Sequence, residues 1–276
     1  MLGHSYEILK KLSPNGLLIG IDRDQEALNA AKSKLKDFSN VKFVKANHDD
    51  IRKILDELEI QSVDGILLDL GVSSYQIDEG KRGFSYMKNG DLDMRMDQDG
   101  ALTARDILNN YSEEKLTEIF FAYGEERNSK RIAKLICEHR VNNEIKTNLE
   151  LVEIIESVIP FSKDGHPAKR VFQALRIETN NEIKPLYKTV IDSIDCLKSN
   201  GRLCIITFHS LEDREVKNAF YDSIGKCTCP KDLPYCICGT IQLGKIITKK
   251  PIEASKEELK LNSRALSAKL RIFEKQ

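Results

Sequence analysis

The sequence predicts an α/β protein, a doubly wound and largely parallel sheet interrupted by a helical insertion. Three observations predict it. Short apolar runs closed by an acid alternate with helix-length amphipathic segments in the first third of the chain. A central stretch, about Ala101 to Asn181, carries helical patterns and no convincing strand. A further buried-strand pattern then resumes at Arg202. The expected organisation is therefore one sheet domain over 1–100 and 182–276, with an inserted all-helical domain over 101–181.

Taken in order, Leu17–Asp22 is a short apolar run ending in an acid and is expected to be a buried parallel strand. Asp24 can cap the next helix, where Ala27, Leu28, Ala31 and Leu35 share a face. Val41–Val44 predicts a second strand and about Asp50 to Leu58 a helix. Val63–Asp69 predicts a third strand, apolar on both sides of its pleat. This alternation implies βαβ units with right-handed crossovers. Leu70 to Gly100 is rich in Gly, Asp and Ser and has no period, as in long loops that are either functional or disordered. Thr103, Ser112 and the Thr147–Glu150 capping box start three helices, and Arg127–Arg140 is a basic amphipathic one. Asn181 is expected to cap a helix running to Leu197 that Ser199-Asn-Gly201 ends, with Gly201 in the left-handed conformation. Arg202–Phe208 is the next strand, and Ser210 is expected to cap the helix after it. Thr240–Thr248 and Ala268–Glu274 alternate as closing strands.

The chain has 276 residues, 41% hydrophobic and 31% charged, which excludes collagen-like, coiled-coil and disordered classes. Lys+Arg and Asp+Glu both count 43, but 224–276 holds 11 basic and 5 acidic residues, a local excess of six positive charges suited to a nucleic-acid partner. No apolar run approaches the length of a membrane span, and no export signal is visible, so a cytoplasmic location with reduced thiols is expected. Met1–Ser5 leaves no room for a first strand before the helix carrying Ile8, Leu9 and Leu12. The first strand is therefore expected to be missing, the chain beginning inside its glycine loop as a fragment or a late-read start.

In open α/β sheets ligands lie beyond the carboxyl ends of the strands. Asp22 and Asp69 end two such strands. An acid in the position of Asp22 commonly binds a ribose diol, in NAD enzymes and S-adenosylmethionine enzymes alike. After Asp69, Gly71 allows close backbone approach, and Leu70–Ser73 could line a base. His209 or Ser210, after the strand of Arg202–Phe208, would face the same crevice.

The strings DLGVSS (69–74), RGFSY (82–86), LDMRMD (92–97), YGEER (123–127), HPAKRVFQALRI (166–177), ITFHSLEDR (206–214) and SAKLRIFEK (267–275) occur in this order in one family. The chain resembles the ribosomal RNA small subunit methyltransferase H (MraW) family over essentially its whole length. The resemblance implies a Rossmann-like sheet that transfers a methyl group from S-adenosyl-L-methionine to N4 of a cytidine in the decoding region of 16S rRNA. By motif it carries cofactor contacts onto Leu2, Gly3, His4, Asp22, His48, Asp69 and Gln76. Leu2 stands where a small residue is usual, and His48 where the family usually has an aromatic beside the adenine. Asp69, Ser73 and His209 are the expected catalytic group, with Asp69 orienting the amine. The target base must be unpaired, and Phe84, Tyr86 and Tyr75 are candidate stacking residues. Arg127, Lys130, Arg131, Lys134, Lys169 and Arg170 are candidate phosphate contacts. The expected partner is the small ribosomal subunit, neither DNA nor membrane.

Cys227, Cys229, Cys236 and Cys238 lie within 12 residues and could hold a structural zinc, accessory to methyl transfer. Cys137, Cys196 and Cys204 fall in helix or strand patterns and are expected to pack. Two rival functions stand beside the methyltransferase. One is another nucleotide-cofactor enzyme, such as an NAD-dependent dehydrogenase. The other is a cofactor-deficient, RNA-binding fragment.

Overall fold

A computed structural model describes residues 2–161, 165–225, 229, 235, 239 and 241–276. The first elements are α1 (Leu2–Lys11), β1 (Leu18–Asp22), α2 (Gln25–Lys34), β2 (Val41–Lys45), α3 (Ile51–Glu57) and β3 (Val63–Asp69). Helices follow: α4 (Ser74–Asp78), α5 (Ala104–Asn110), α6 (Glu113–Ala122), α7 (Ser129–Arg140), α8 (Asn148–Glu156), α9 (Lys169–Asn180) and α10 (Leu186–Cys196). The chain closes with β4 (Leu197–Thr207), α11 (Ser210–Ser223), β5 (Gly244–Ile246), β6 (Ile252–Glu253), α12 (Lys256–Leu261) and β7 (Lys269–Lys275). It divides into two compact units, Met1–Gly71 with Ile183–Gln276, and Val72–Glu182.

The first unit is the α/β one. β1 and β2 pair in parallel, and β3, β4, β7 and β5 form a second sheet in that order, with β6 also on β7. β3 and β4 are parallel, whereas β7 runs antiparallel to β4 and β5, so this sheet is mixed. Among the described residues β1 and β3 each pair on one side only. Both still reach one apolar cluster, Ile19 from β1 and Ile66 from β3, around Ile51 and Leu55 of α3 and Cys196. The larger core joins Leu68, Val190, Ile194, Leu203, Ile205, Val216, Phe220 and Phe273. α2 begins where its sequence says: Asp24 accepts the Glu26 N–H, and Leu28, Ala31 and Leu35 are buried.

The second unit is helical apart from its first third. A single core runs from Phe84, Leu92, Met94 and Met96 through α5 to α9. Thr103 and Thr147 make capping boxes with Asp106 and Glu150, and Ser112 caps α6 through Lys115 N–H. The unperiodic stretch is held by polar pins rather than by regular structure. Arg82, buried, donates to the carbonyls of Arg95 and Met96 at 3.0 Å each. Asn180 accepts the Met96 N–H at 2.7 Å and donates to the Met94 carbonyl at 2.7 Å. Asn148 donates to the Ser85 carbonyl at 2.7 Å. Gly83 has φ +76°, and a side chain there would meet the Asp91 carbonyl at 2.3 Å.

Several expectations are corrected. Asn181 does not start a helix; it ends α9 in the left-handed conformation (φ 49°, ψ 47°), which Asn tolerates. α10 starts instead after Pro185, whose fixed φ and missing N–H suit a helix start. Ser199–Gly201 does not terminate that helix. α10 ends at Cys196, and these residues form an irregularity in β4, where pairing shifts between Val63–Leu197 and Gly65–Arg202. Asn200, not Gly201, takes the positive φ (64°). The cap of α11 is His209 rather than Ser210. β3 is not apolar and buried on both sides: Asp64 and Gly65 are exposed, as fits a strand paired along one edge. Of Thr240–Thr248 only Gly244–Ile246 forms a strand, and Thr240 lies outside the described residues. Residues 2–5 form the first turn of α1 rather than a loop.

Candidate functional site

In the α/β unit the strand ends carry the expected residues. Asp22 closes β1, and its Oδ1 accepts the Asp24 N–H at 2.9 Å. Burial pushes its carboxyl up, against that backbone hydrogen bond. Its second oxygen has no hydrogen bond among the described residues, which leaves an acceptor for a ligand hydroxyl. Asp69 closes β3 and meets the first turn of α1, with its Oδ2 3.3 Å from His4 Nδ1. Burial acts to raise the Asp69 carboxyl, but the His4 hydrogen bond and nearby positive charge win and hold it below the usual range. His4 is raised by the same bond, against its own burial. A half-exposed imidazole thus sits on a mostly buried carboxylate (51% and 21% side-chain exposure). Gly3 lies beside it in α1, and a Cβ there would meet nothing within 4 Å. Leu2 belongs to the same turn.

His48 begins a short 3-10 turn after β2, capped by Asn47, whose Oδ1 accepts the His48 N–H. Arg23, just past Asp22, donates to that oxygen at 2.8 Å. Desolvation first, and the Arg23 charge second, lower the His48 pKa to about 4, so its ring is neutral at physiological pH. Its Nδ1 is buried and has no hydrogen-bond partner among the described residues. Such an orphaned buried atom is what a heterocyclic ligand could satisfy.

His209 is tied into its own helix. Its Nδ1 accepts the Glu212 N–H at 3.4 Å, while its Nε2 lies 3.0 Å from Glu212 Oε1. Both side chains are buried, and Glu212 Oε2 also takes the Phe208 N–H at 2.7 Å. One residue on, Asp213 accepts two hydrogen bonds from Arg271 of β7, at 2.7 and 2.9 Å. The ITFHSLEDR and SAKLRIFEK strings are thereby fastened to each other through Asp213 and Arg271. The Arg271 hydrogen bond keeps the Asp213 carboxyl low despite burial.

Ser73 and Gln76 belong to the helical unit. They form a reciprocal cap: Ser73 N–H donates to Gln76 Oε1 at 2.9 Å, and Gln76 N–H to Ser73 Oγ at 3.2 Å. Gln76 is buried. Of the expected stacking residues, Phe84 packs in the core and is withdrawn from that role, Tyr86 is half-buried and Tyr75 is exposed. Arg127, Lys130, Arg131 and Lys134 present an exposed basic face at α7, and Lys169 and Arg170 are exposed at the start of α9. Gly124 in YGEER is there for contact, since a Cβ would meet the Arg170 and Phe120 carbonyls at 2.7 Å.

Cys227, Cys236 and Cys238 lie outside the described residues, so the four-thiol expectation falls largely there. Among the described residues no three metal-ligating side chains cluster. Cys137, Cys196 and Cys204 are packed as expected, and burial pushes each thiol up. Among the described residues no helix is long and apolar enough to cross a membrane. Sequence reasoning missed Arg82, Asn148 and Asn180, because nothing local marks a polar residue whose partners lie up to 86 positions away.

Two parallel strand pairs, β1–β2 and β3–β4, each with a strand that ends in an acid, Asp22 and Asp69, make an α/β unit of the Rossmann-like class, in which ligands lie beyond the strand ends. The chain belongs to the MraW methylase family, whose model matches residues 1–276. It is 57% identical over 275 residues to a ribosomal RNA small subunit methyltransferase H of Clostridium botulinum (strain 657 / Type Ba4), covering 99% of this chain and 89% of the relative. The protein of the same name from C. botulinum (strain Loch Maree / Type A3) is 56% identical over the same shares.

Proposed function

We propose that the protein methylates N4 of a cytidine in the decoding region of 16S rRNA, using S-adenosyl-L-methionine, in the cytoplasm. The observation that carries this reading is the Asp69 carboxylate at the end of β3, kept ionised beside His4. S-adenosylmethionine supplies a methyl group on a positively charged sulfur. The Asp22 oxygen left without a partner suits the ribose diol, and the neutral His48 ring, with its unsatisfied Nδ1, suits the adenine side. Leu2, Gly3 and His4 in the first turn of α1 and Gln76 in α4 complete the proposed cofactor contacts.

Cytosine N4 is a weak nucleophile because its lone pair is delocalised into the ring. Asp69 accepts a hydrogen bond from that amine and holds it in line. Such positioning contributes at most about 7–11 kcal/mol. The amine proton becomes acidic once the new bond forms, so no strong base is needed before transfer. Ser73 and His209 support the site by shaping the turns at their strand ends. In the helical segment 101–181, the α7 cations and Lys169 and Arg170 bind phosphates flanking the unpaired target base.

The test is methylation of small subunits from cells lacking this modification, followed by nucleoside mass spectrometry. N4-methylcytidine is the expected product, and methylation of another base overturns the assignment. Asp69→Ala should weaken S-adenosylhomocysteine binding and lose methylation, whereas retained binding with normal methylation would remove Asp69 from the mechanism. A second reading, an RNA-binding protein without cofactor use, is favoured by one observation: β1 and β3 share the α3 cluster without pairing. Calorimetry separates the two, since saturable S-adenosylhomocysteine uptake excludes it and uptake of NAD instead would favour a dehydrogenase. A structural zinc on Cys227, Cys229, Cys236 and Cys238 is proposed as accessory. Near-stoichiometric zinc in protein purified without added metal supports it, and zinc-free folded protein refutes it.

A further inference from the structure

Four rings in the helical unit form a ladder from core to surface. Phe172 of α9 is 4% exposed and lies 5.8 Å from Tyr86, edge to face. Tyr86 stacks on His166, tilted by 36° with centroids 4.6 Å apart. His166 in turn meets Phe161 edge-on at 5.0 Å, and Phe161 is 66% exposed. The imidazole is fixed in place, because its Nδ1 accepts the Ala168 N–H at 3.2 Å. That leaves Nε2 facing Glu156 Oε1 at 3.7 Å, beyond hydrogen-bond reach. The turn carrying His166 runs directly into α9, whose first residues, Lys169 and Arg170, are exposed cations; the Lys169 N–H donates to the His166 carbonyl at 3.1 Å.

We infer that Phe161, backed by His166 and Tyr86, is a stacking site for one unpaired base of the RNA substrate, distinct from the base that is methylated. The inference rests on the rRNA reading above and adds a residue to it. A ring held by a chain of rings reaching the core stays in place when a base lands on it, so little side-chain freedom is lost on binding. The exposed cations Lys169 and Arg170 in the next turn favour a polyanion over a neutral protein surface. An unpaired base offers a bare face, whereas bases inside a duplex do not.

The probe is a short single-stranded oligoribonucleotide of mixed sequence carrying one 2-aminopurine, titrated with the full chain. Anisotropy reports binding and 2-aminopurine quenching reports stacking. Phe161→Leu should bind about ten-fold more weakly and lose the quenching, and Phe161→Tyr should restore both. Phe121→Leu, on α6 and 63% exposed, is the control and should match the parent chain. RNA binding with unchanged affinity and quenching in Phe161→Leu overturns the stacking site alone, as does equal quenching by the annealed duplex. Absence of RNA binding by every form overturns the rRNA reading together with it.

Discussion

Asn180→Ala tests whether the unperiodic stretch is organised by a few buried polar pins. Asn180 is buried at the end of α9, where its side chain accepts from Met96 N–H and donates to the carbonyls of Met94 and Arg176, at 2.7, 2.7 and 2.9 Å. Truncation strands the Met96 N–H and the Met94 carbonyl in the interior, and each such group costs about 1–3 kcal/mol. Met94 is fully buried with φ 57°, a backbone state costing a non-glycine residue roughly 1–2 kcal/mol, which only its surroundings maintain. The expected loss is therefore about 2–6 kcal/mol. Asn180→Asp should be no milder, since a carboxylate keeps the acceptor for Met96 but presents no donor to two carbonyls. With no tryptophan in the chain, urea unfolding is followed by circular dichroism, and hydrogen exchange reads the Met96 amide directly. A loss below about 1 kcal/mol with unchanged Met96 protection would show that the stretch is held by its apolar contacts instead.

Gly124→Ala should destabilise by about 1–3 kcal/mol, because its Cβ would press on two main-chain carbonyls at 2.7 Å; an unchanged melting temperature would refute the close approach. His48→Phe should be neutral or stabilising in thermal melts, since it removes a buried nitrogen without a partner, and a clear loss of stability would mean that nitrogen is satisfied. His4 should titrate above its ordinary 6.5 by NMR and fall back in Asp69→Ala; the pairing strengthens the fold below pH 6.5 and is lost as pH rises through the raised value. Asp213, depressed below 3.8 by Arg271, contributes stability above pH 3.8 that disappears as pH falls through its lowered pKa, so Asp213→Asn should flatten the acid limb of a stability–pH curve.

Much of the architecture was legible from local chemistry. The strands ending in Asp22 and Asp69, the Asp24 cap and the boxes at Thr103 and Thr147 each depend on residues within a few positions, and periodicity or spacing reveals them. What was misread depends on competition between neighbours. At Asn181 two roles were chemically open, and Pro185 decided between them by fixing where the next helix could start. At His209 and Ser210 two adjacent side chains could cap, and the one whose backbone is extended (φ −145°) took the role. Of the site, the acids were visible because strand ends are visible. The His4–Asp69 contact spans 65 positions, and nothing local foretells it. The polar pins stayed hidden for the same reason, as did the ring ladder, assembled from Tyr86, Phe161, His166 and Phe172.

The position of β7 has a consequence for how the molecule is made. This strand, at Lys269–Lys275, lies between β4 and β5, and its Glu274 carboxylate takes both Arg202 and Lys245, at 2.9 and 2.7 Å. The residues that bring the two halves of that sheet together are thus made only after both β4 and β5. The helical unit, contiguous in the chain, is fully synthesised long before them. During translation β4 waits with one edge bare until β7 is made, and removing Lys269–Lys275 would cut the sheet through its interior rather than shorten its rim.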